Sequence, residues 1–160
     1  MLLLKIIIIE RGAILMKFLW TRDLDSSVYK DALSIRYKVF VDEQKVPKDL
    51  EIDDLEESSL HGTLYSSNQA IATVRLFPLN PDCYKVQRVA VLKEFRKKGF
   101  GEKIMQESEN KAKKMNAKFL ELDSQNKAIP FYQKLGYKII SGEFLDAGIL
   151  HHKMNKRIEY

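Results

Sequence analysis

The sequence predicts an α/β (α+β) domain, a mixed sheet flanked by helices, and three observations carry that expectation. Residues 84–123 read as strand, glycine turn, helix and strand, a βαβ-like unit that calls for a sheet with a helix packed on it. Further short apolar runs with strand character lie on both sides of that unit. The 160 residues, 45% hydrophobic and 31% charged, are enough to bury roughly 70% of the unfolded surface without metals or disulfides. That apolar content excludes disorder, and 7 Gly with 4 Pro exclude collagen-like or low-complexity character.

The elements follow in order. Residues 17–21 form a short apolar strand. Asp25, Ser26 and Ser27 offer N-caps to a helix whose Val28, Ala32, Leu33, Ile35 and Phe40 share an apolar face, and which must end before Pro47. The acidic stretch to Ser59 reads as loop or helical turn. Strands at 61–66 and 70–77 flank the hairpin signal Ser67-Asn68-Gln69. Pro78 and Pro81 punctuate the chain before a strong strand at 84–92. After Gly99 and Gly101 comes a helix with Ile104, Met105, Ser108, Ala112 and Met115 on one face, stopped at Asn116. A strand at 118–123, a short helix at 128–135 closed by Gly136, and strands at 137–141 and 149–154 around a loop at 142–148 complete the order. There is no internal repeat and no linker, so residues 16–160 are expected to be one domain.

Residues 1–15 stand apart. Lys5, Glu10 and Arg11 interrupt an apolar run too short to span a bilayer. No basic region precedes that run and no small-residue cleavage site follows, so it does not read as a secretory signal. Glu10-Arg11-Gly12 can be encoded by a purine-rich run resembling a ribosome-binding site, with Met16 at a suitable distance for a start codon. The expectation is that residues 1–15 are a non-functional, untranslated leader. A real β-prone extension at 6–9 is the alternative.

Charge is unevenly spread. Residues 42–57 hold eight acids against two lysines, and residues 84–138 hold fourteen Lys and Arg against six acids. One region should attract cations and the other anions. The single cysteine, Cys83, excludes an internal disulfide and fits a reducing cytoplasm. His61, His151 and His152 lack the spacing of a zinc motif, so no metal is expected. A nucleic-acid role for the basic region finds no support, because Phe119, Phe131 and Tyr137 sit in core patterns.

The most informative stretch is Val89 to Glu102, where an apolar strand enters a basic turn that opens a helix. Free N–H groups and the dipole at a helix N-terminus favour an anion such as a pyrophosphate. Gly99 and Gly101 permit positive φ and close approach of the backbone, and Arg96, Lys97 and Lys98 add charge. Neither a Walker loop nor a three-glycine dinucleotide fingerprint is present.

Arg96-x-x-Gly99-x-Gly101 after an apolar strand resembles motif A of the GNAT superfamily of N-acetyltransferases. Gln125-Asn-Lys-Ala128-Ile-Pro-Phe131-Tyr132-Gln-Lys-Leu135-Gly136-Tyr137 resembles its motif B. Arg36 to Pro47, Glu51-Ile-Asp53 and the ending Asp146-Ala-Gly148-Ile-Leu-His151 are similar to one branch of small bacterial acetyltransferases. The resemblance spans about residues 17–155.

It implies a mainly antiparallel sheet with a V-shaped splay that takes acetyl-coenzyme A between strands 84–92 and 118–123. The backbone of Val89, Ala90 and Val91 would meet the pantetheine arm, and the turn Arg96, Lys97, Lys98, Gly99, Phe100 and Gly101 would hold the pyrophosphate. Gln125, where the family usually has asparagine, would bond to the cofactor. The Val91 N–H would act as oxyanion donor and Tyr132 as the acid that protonates the leaving thiolate. Some family members carry a glutamate at the strand segment that here reads Lys85-Val86-Gln87-Arg88, so the usual base is missing. Glu43 or Asp123 is the candidate base, with Asp53 and Glu121 also available.

Asp53, Arg75 and His151 are candidates for contacting the acceptor. Arg75 and Arg88 could instead pair with the acids of 42–57, and that is the favoured expectation. The acceptor is expected to be a small-molecule amine, a cationic one such as a polyamine suiting the acidic segment, with a protein lysine or N-terminus as the other option. No nucleic acid, no membrane and a monomer or homodimer are expected. An inert coenzyme A-binding module is the rival reading.

Overall fold

The computed structural model describes residues 15–160 in full and residues 5–8 as backbone. A single eight-stranded sheet is formed by β1 (Lys5–Ile8), β2 (Leu15–Thr21), β3 (Leu60–Ser66), β4 (Gln69–Asn80), β5 (Cys83–Val91), β6 (Phe119–Gln125), β7 (Lys138–Asp146) and β8 (Ile149–Arg157). Its spatial order is β1-β2-β3-β4-β5-β6-β8-β7. Every neighbouring pair is antiparallel except β5 and β6, which are joined in parallel by the crossover helix. The helices are α1 (Ser27–Arg36), α2 (Lys48–Glu51), α3 (Phe100–Lys114) and α4 (Ile129–Lys134). The expected mixed sheet covered by helices is therefore the observed fold. Residues 1–4 and 9–14, on which most of the leader expectation falls, lie outside the described residues. Residues 5–8 pair with β2.

Strand alternation sends side chains to two helical layers. Leu64, Val74, Leu76, Val86, Leu120, Leu122 and Met154 pack with Ile104, Met105 and Ala112 of α3. On the opposite face Ile35 meets Ala90 and Leu92, and Val28 meets Leu19 and Tyr65. Ser26 caps α1 as expected, its Oγ accepting from the Tyr29 N–H at 3.2 Å.

Three local expectations are corrected. The first helix does not run uniformly toward Pro47: at Tyr37–Glu43 it widens into a π-helical turn. Pro78 does not end its strand, because β4 carries it in a pair with Tyr84 beside a register shift where the missing N–H is tolerated. The 142–148 loop is a two-residue turn. Ala147 and Gly148 both take positive φ, 48° and 75°, the twist that closes a tight hairpin, and β7 extends to Asp146 by absorbing extra residues in an irregularity between Ile139 and Glu143.

A buried charge network ties the acidic segment to the sheet. Arg36 is only 1% exposed and donates to Glu51 Oε1 at 2.7 Å, to the Glu51 carbonyl at 2.7 Å and to both oxygens of Glu56 at 3.0 and 2.7 Å. Arg75, equally buried, donates to Asp53 at 2.8 and 2.9 Å, to Glu56 at 2.7 Å and to Gln87 at 3.0 and 2.8 Å. Arg88 adds contacts to Glu51 at 3.1 Å and Asp53 at 3.2 Å. Three guanidinium groups thus face three carboxylates. The expected pairing of Arg75 and Arg88 with the 42–57 acids is observed. Each charge here is expensive to desolvate, so removing one partner strands the others.

Burial would raise the Glu56 and Asp53 pKa values, but hydrogen bonds from Arg36 and Arg75 and the arginine charges overcome it and hold both below the ordinary range. His61 is pushed down by burial, with Arg36 and Arg75 adding to the effect against the pull of Glu56. Neutral at pH 7, His61 donates from Nε2 to the Glu56 carbonyl at 2.9 Å, since a carbonyl can only accept.

Glu56→Ala should cost about 3–5 kcal/mol in urea denaturation, the penalty of breaking a buried ion network. Stability should also fall with acid. Below the ordinary histidine value of 6.5 the unfolded chain takes a proton at His61 that the folded chain refuses. Below about 4.5 the unfolded chain also protonates the residues corresponding to Glu56 and then Asp53 first. The urea midpoint should therefore drop between pH 7 and pH 5 and drop faster below, and His61→Gln should flatten the first part of that slope.

Candidate functional site

The site begins where a strand pair ends. β5 and β6 are partnered only from Cys83–Phe119 to Val86–Leu122. β5 then stays with β4 as far as Val91, and β6 stays with β8 as far as Gln125. The two central strands diverge, and a cleft of about 1270 Å³ opens between them.

A bulge in β5 shapes one wall. Against β4, Thr73 pairs with Ala90 but Arg75 pairs with Gln87, so β5 carries one extra residue. Arg88 sits there with φ of 56°, a left-handed conformation that costs a residue with a Cβ about 1–2 kcal/mol. The extra residue inverts the alternation beyond it. Val86, Val89 and Val91 pack toward the α3 face and Ala90 toward α1, whereas an unbroken strand would put Val86 and Ala90 together. Beyond the bulge the Leu92 N–H donates to the Ile71 carbonyl at 2.9 Å. Antiparallel alternation then turns the N–H of Val91 away from β4 and into the splay. The Ramachandran cost of Arg88 is offset by its ion pairs to Glu51 and Asp53.

The basic turn follows at the top of β5. Gly99, at φ of 84°, caps α3 without a side-chain bond, so the first-turn N–H groups of this fifteen-residue helix are open. A Cβ on Gly99 would meet nothing within 4 Å. Gly101 has a different reason from the one expected: it is helical, and a Cβ there would lie 3.3 Å from Phe131. Its role is close packing of α3 on α4. Arg96 is also more constrained than its motif suggests. Its Nε donates to the Val91 carbonyl at 2.9 Å and its other nitrogens clamp Glu43 at 2.8 and 2.9 Å. Lys97 is exposed and lines the cleft, whereas Lys98 turns aside, its Nζ 5.7 Å from the centre of the Phe95 ring.

Tyr132 projects from α4 into the cleft and is buried, its ring edge-on to Phe131 and Tyr137 at 5.0 and 5.9 Å. Its hydroxyl has no hydrogen-bond partner among the described residues. Burial pushes its pKa up, so it is firmly protonated at neutral pH. Gln125, at the end of β6, donates to Gln44 at 2.8 Å across the mouth.

The other half of the cleft lies under the π-helical turn and the β7–β8 hairpin. Glu43, Asp53, Asp123 and His151 all line it, and Arg75 and Glu121 do not. All five N–H groups of Arg75 are committed inside the network, which leaves none for an acceptor. Asp123 stands one residue past the last β5–β6 pair, held by Lys85 at 2.6 Å and Lys153 at 3.4 Å. His151 stacks on Phe144 with ring centres 5.9 Å apart. Cys83 sits at the far, paired end of β5, and burial with Glu121 pushes its thiol pKa up despite Lys153. Sequence reasoning missed Phe40, Gln44 and the hairpin residues Phe144 and Leu145. The only signal for the first two is the amphipathic helix they extend, and a π-helical turn has no readable period.

The cleft has recognisable relatives. The family model described as "Acetyltransferase (GNAT) domain" matches residues 26–158. The chain is 41% identical over 128 residues to the uncharacterized N-acetyltransferase YjcF of Bacillus subtilis (strain 168), covering 79% of this chain and 91% of that protein. Its fold is similar to that of an acyl-CoA N-acyltransferase from Pseudomonas aeruginosa, with a TM-score of 0.79 at 22% identity over 88% of this chain and 99% of the other. An aminoglycoside 6'-N-acetyltransferase complexed with coenzyme A matches with a TM-score of 0.69 at 16% identity, over 86% and 95% of the two chains.

Proposed function

The chain belongs to the GNAT acetyltransferase family, and from that premise we propose that it passes the acetyl group of acetyl-coenzyme A directly to a primary amine, both bound together in the cleft. Acetyl transfer dependent on acetyl-coenzyme A is the general chemistry of the family. The observation that carries the finer reading is the convergence of three features on one cleft: the unpaired edge of β5, the uncapped N-terminus of α3, and the partnerless hydroxyl of Tyr132.

The residues fit a coenzyme A substrate. The open space beside Gly99, the free first-turn N–H groups and Lys97 suit a pyrophosphate. The divergent edge of β5 suits the amide-bearing pantetheine arm, which can complete the backbone hydrogen bonds that β6 leaves unmade. The thioester supplies an activated acetyl group. The Val91 N–H, aimed into the splay, would donate to the carbonyl oxygen as charge gathers there.

An amine with a pKa near 10.4 must lose a proton before its nitrogen can attack. Both oxygens of Glu43 accept hydrogen bonds from Arg96, whereas Asp123 Oδ1, for all its 3.4 Å ion pair to Lys153, accepts none among the described residues, so Asp123 at the fork is the carboxylate we assign to receive that proton, directly or through water. As the carbon–nitrogen bond forms and the carbon–sulfur bond breaks, Tyr132 gives its proton to the departing sulfur. The products are an amide and the free thiol. Solvent returns a proton to Tyr132 and takes one from Asp123. No helix among the described residues is long and apolar enough to cross a membrane.

Thiol release measured with acetyl-coenzyme A and a primary amine tests this reading. Tyr132→Phe should lower kcat about 10²-fold while leaving the affinity for acetyl-coenzyme A unchanged. Equal turnover by the variant removes Tyr132 from the chemistry. Asp123→Asn should lose most activity at pH 7 and recover toward wild type as pH approaches the pKa of the amine, whereas Glu43→Gln should keep kcat. Lys97→Glu, at an exposed position, should weaken acetyl-coenzyme A binding about ten-fold in calorimetry, some 1.4 kcal/mol.

A further inference from the structure

The acidic segment suggests a polycationic acceptor, but the structure removes that argument. Of the carboxylates on the acceptor side of the cleft, Glu43 is clamped by Arg96, Glu51 by Arg36 and Arg88, Asp53 by Arg75 and Arg88, and Asp123 by Lys85 and Lys153. Only Asp146 has no ion pair among the described residues. Of the cations on that side, Lys85, Arg88 and Arg96 are the other members of the same pairs, and Lys127 stands exposed to solvent at the cleft's edge. The carboxylate of an amino-acid acceptor therefore finds a free cation only at the solvated Lys127, and a second or third ammonium of a polyamine finds no free carboxylate beyond Asp146. Either would have to break an existing pair or be desolvated without compensation.

What the acceptor half does present is apolar. Leu50 of α2 and Leu145 of the β7–β8 hairpin line the cleft while 52% and 68% exposed. Phe40, Val46, Phe144 and Ile149 continue that surface inward, and Phe144 is already stacked on His151. Two large aliphatic side chains left that open at the mouth of a cleft are a contact surface for a ligand, because covering them removes apolar surface from water.

We infer that the acceptor is a monoamine carried on an uncharged apolar body, an arylalkyl or alkyl amine rather than a polyamine or an amino acid. The inference rests on the acetyl-transfer reading and specifies the substrate class of the same site. Leu50, Leu145 and Phe144 hold the apolar body, and the one free carboxylate, Asp146, draws in the single ammonium before it is deprotonated for attack.

The test compares phenethylamine and hexylamine with spermidine and lysine as acceptors, reading thiol release and product mass, with calorimetric binding of acetyl-coenzyme A measured beside it. The inference expects kcat/KM for the two apolar amines to exceed that for spermidine and lysine at least about ten-fold. It also expects Leu145→Asp, a change at an exposed hairpin position, to raise KM for phenethylamine about five-fold or more with kcat little changed. Faster turnover of spermidine or lysine, or indifference of phenethylamine to Leu145→Asp, overturns the inference and leaves acetyl transfer standing. Binding of acetyl-coenzyme A without thiol release to any of the four overturns both.

Discussion

At Val86 the parallel ladder between β5 and β6 stops, while each strand remains bonded to its other neighbour. Two backbone edges in the middle of a domain are thereby left facing a cleft, and buried backbone groups cannot stay without partners. Water can serve them, or a ligand with its own amides. That constraint organises the rest. The crossover helix α3 starts beside the open edge and points its uncapped N-terminus at the same cleft, and α4 packs against α3 closely enough that a Cβ at Gly101 would sit 3.3 Å from the Phe131 ring. Tyr132 is placed by that packing, with its hydroxyl left over.

The splay needs a second support, and the buried arginines supply it. A left-handed residue with a long side chain is an unfavourable place to put a bulge. Arg88 occupies it because its guanidinium reaches Glu51 and Asp53, which are themselves held by Arg36 and Arg75. The network therefore joins α1, the acidic segment, β4 and the bulge of β5 into one unit. It also engages Glu51 and Asp53, and Arg96 engages Glu43, so every carboxylate of that acidic stretch that lines the cleft is ion-paired.

Much of this was legible in the sequence. Apolar periodicity marked the strands and helices, and the turn at 96–101 announced itself through two glycines and three cations. The bulge at Arg88 was not legible, because nothing in Gln87-Arg88-Val89 favours positive φ. Gly101 was legible as necessary but for the wrong reason: its constraint is Phe131, a tertiary neighbour thirty residues away. Only the 142–148 part of the β7–β8 hairpin was read as a loop, because glycine at 142 and 148 signals a turn locally, whereas Gly142 falls in the irregularity of β7 and residues 143–146 pair with β8. Charge counting along 42–57 could not reveal which acids are spent on arginines, since Arg36, Arg75, Arg88 and Arg96 come from α1, β4, β5 and the turn that follows β5.

The proposed chemistry requires acetyl-coenzyme A to lie along the open edge of β5. Backbone amide chemical shifts followed by NMR during titration with acetyl-coenzyme A test it residue by residue. The largest changes are expected at the amides of Val89, Val91, Gly99 and Gly101, with Ala72 and Thr73 on the paired side nearly still. Binding that leaves Val89 and Val91 unmoved, with shifts gathered elsewhere on the surface, would contradict it.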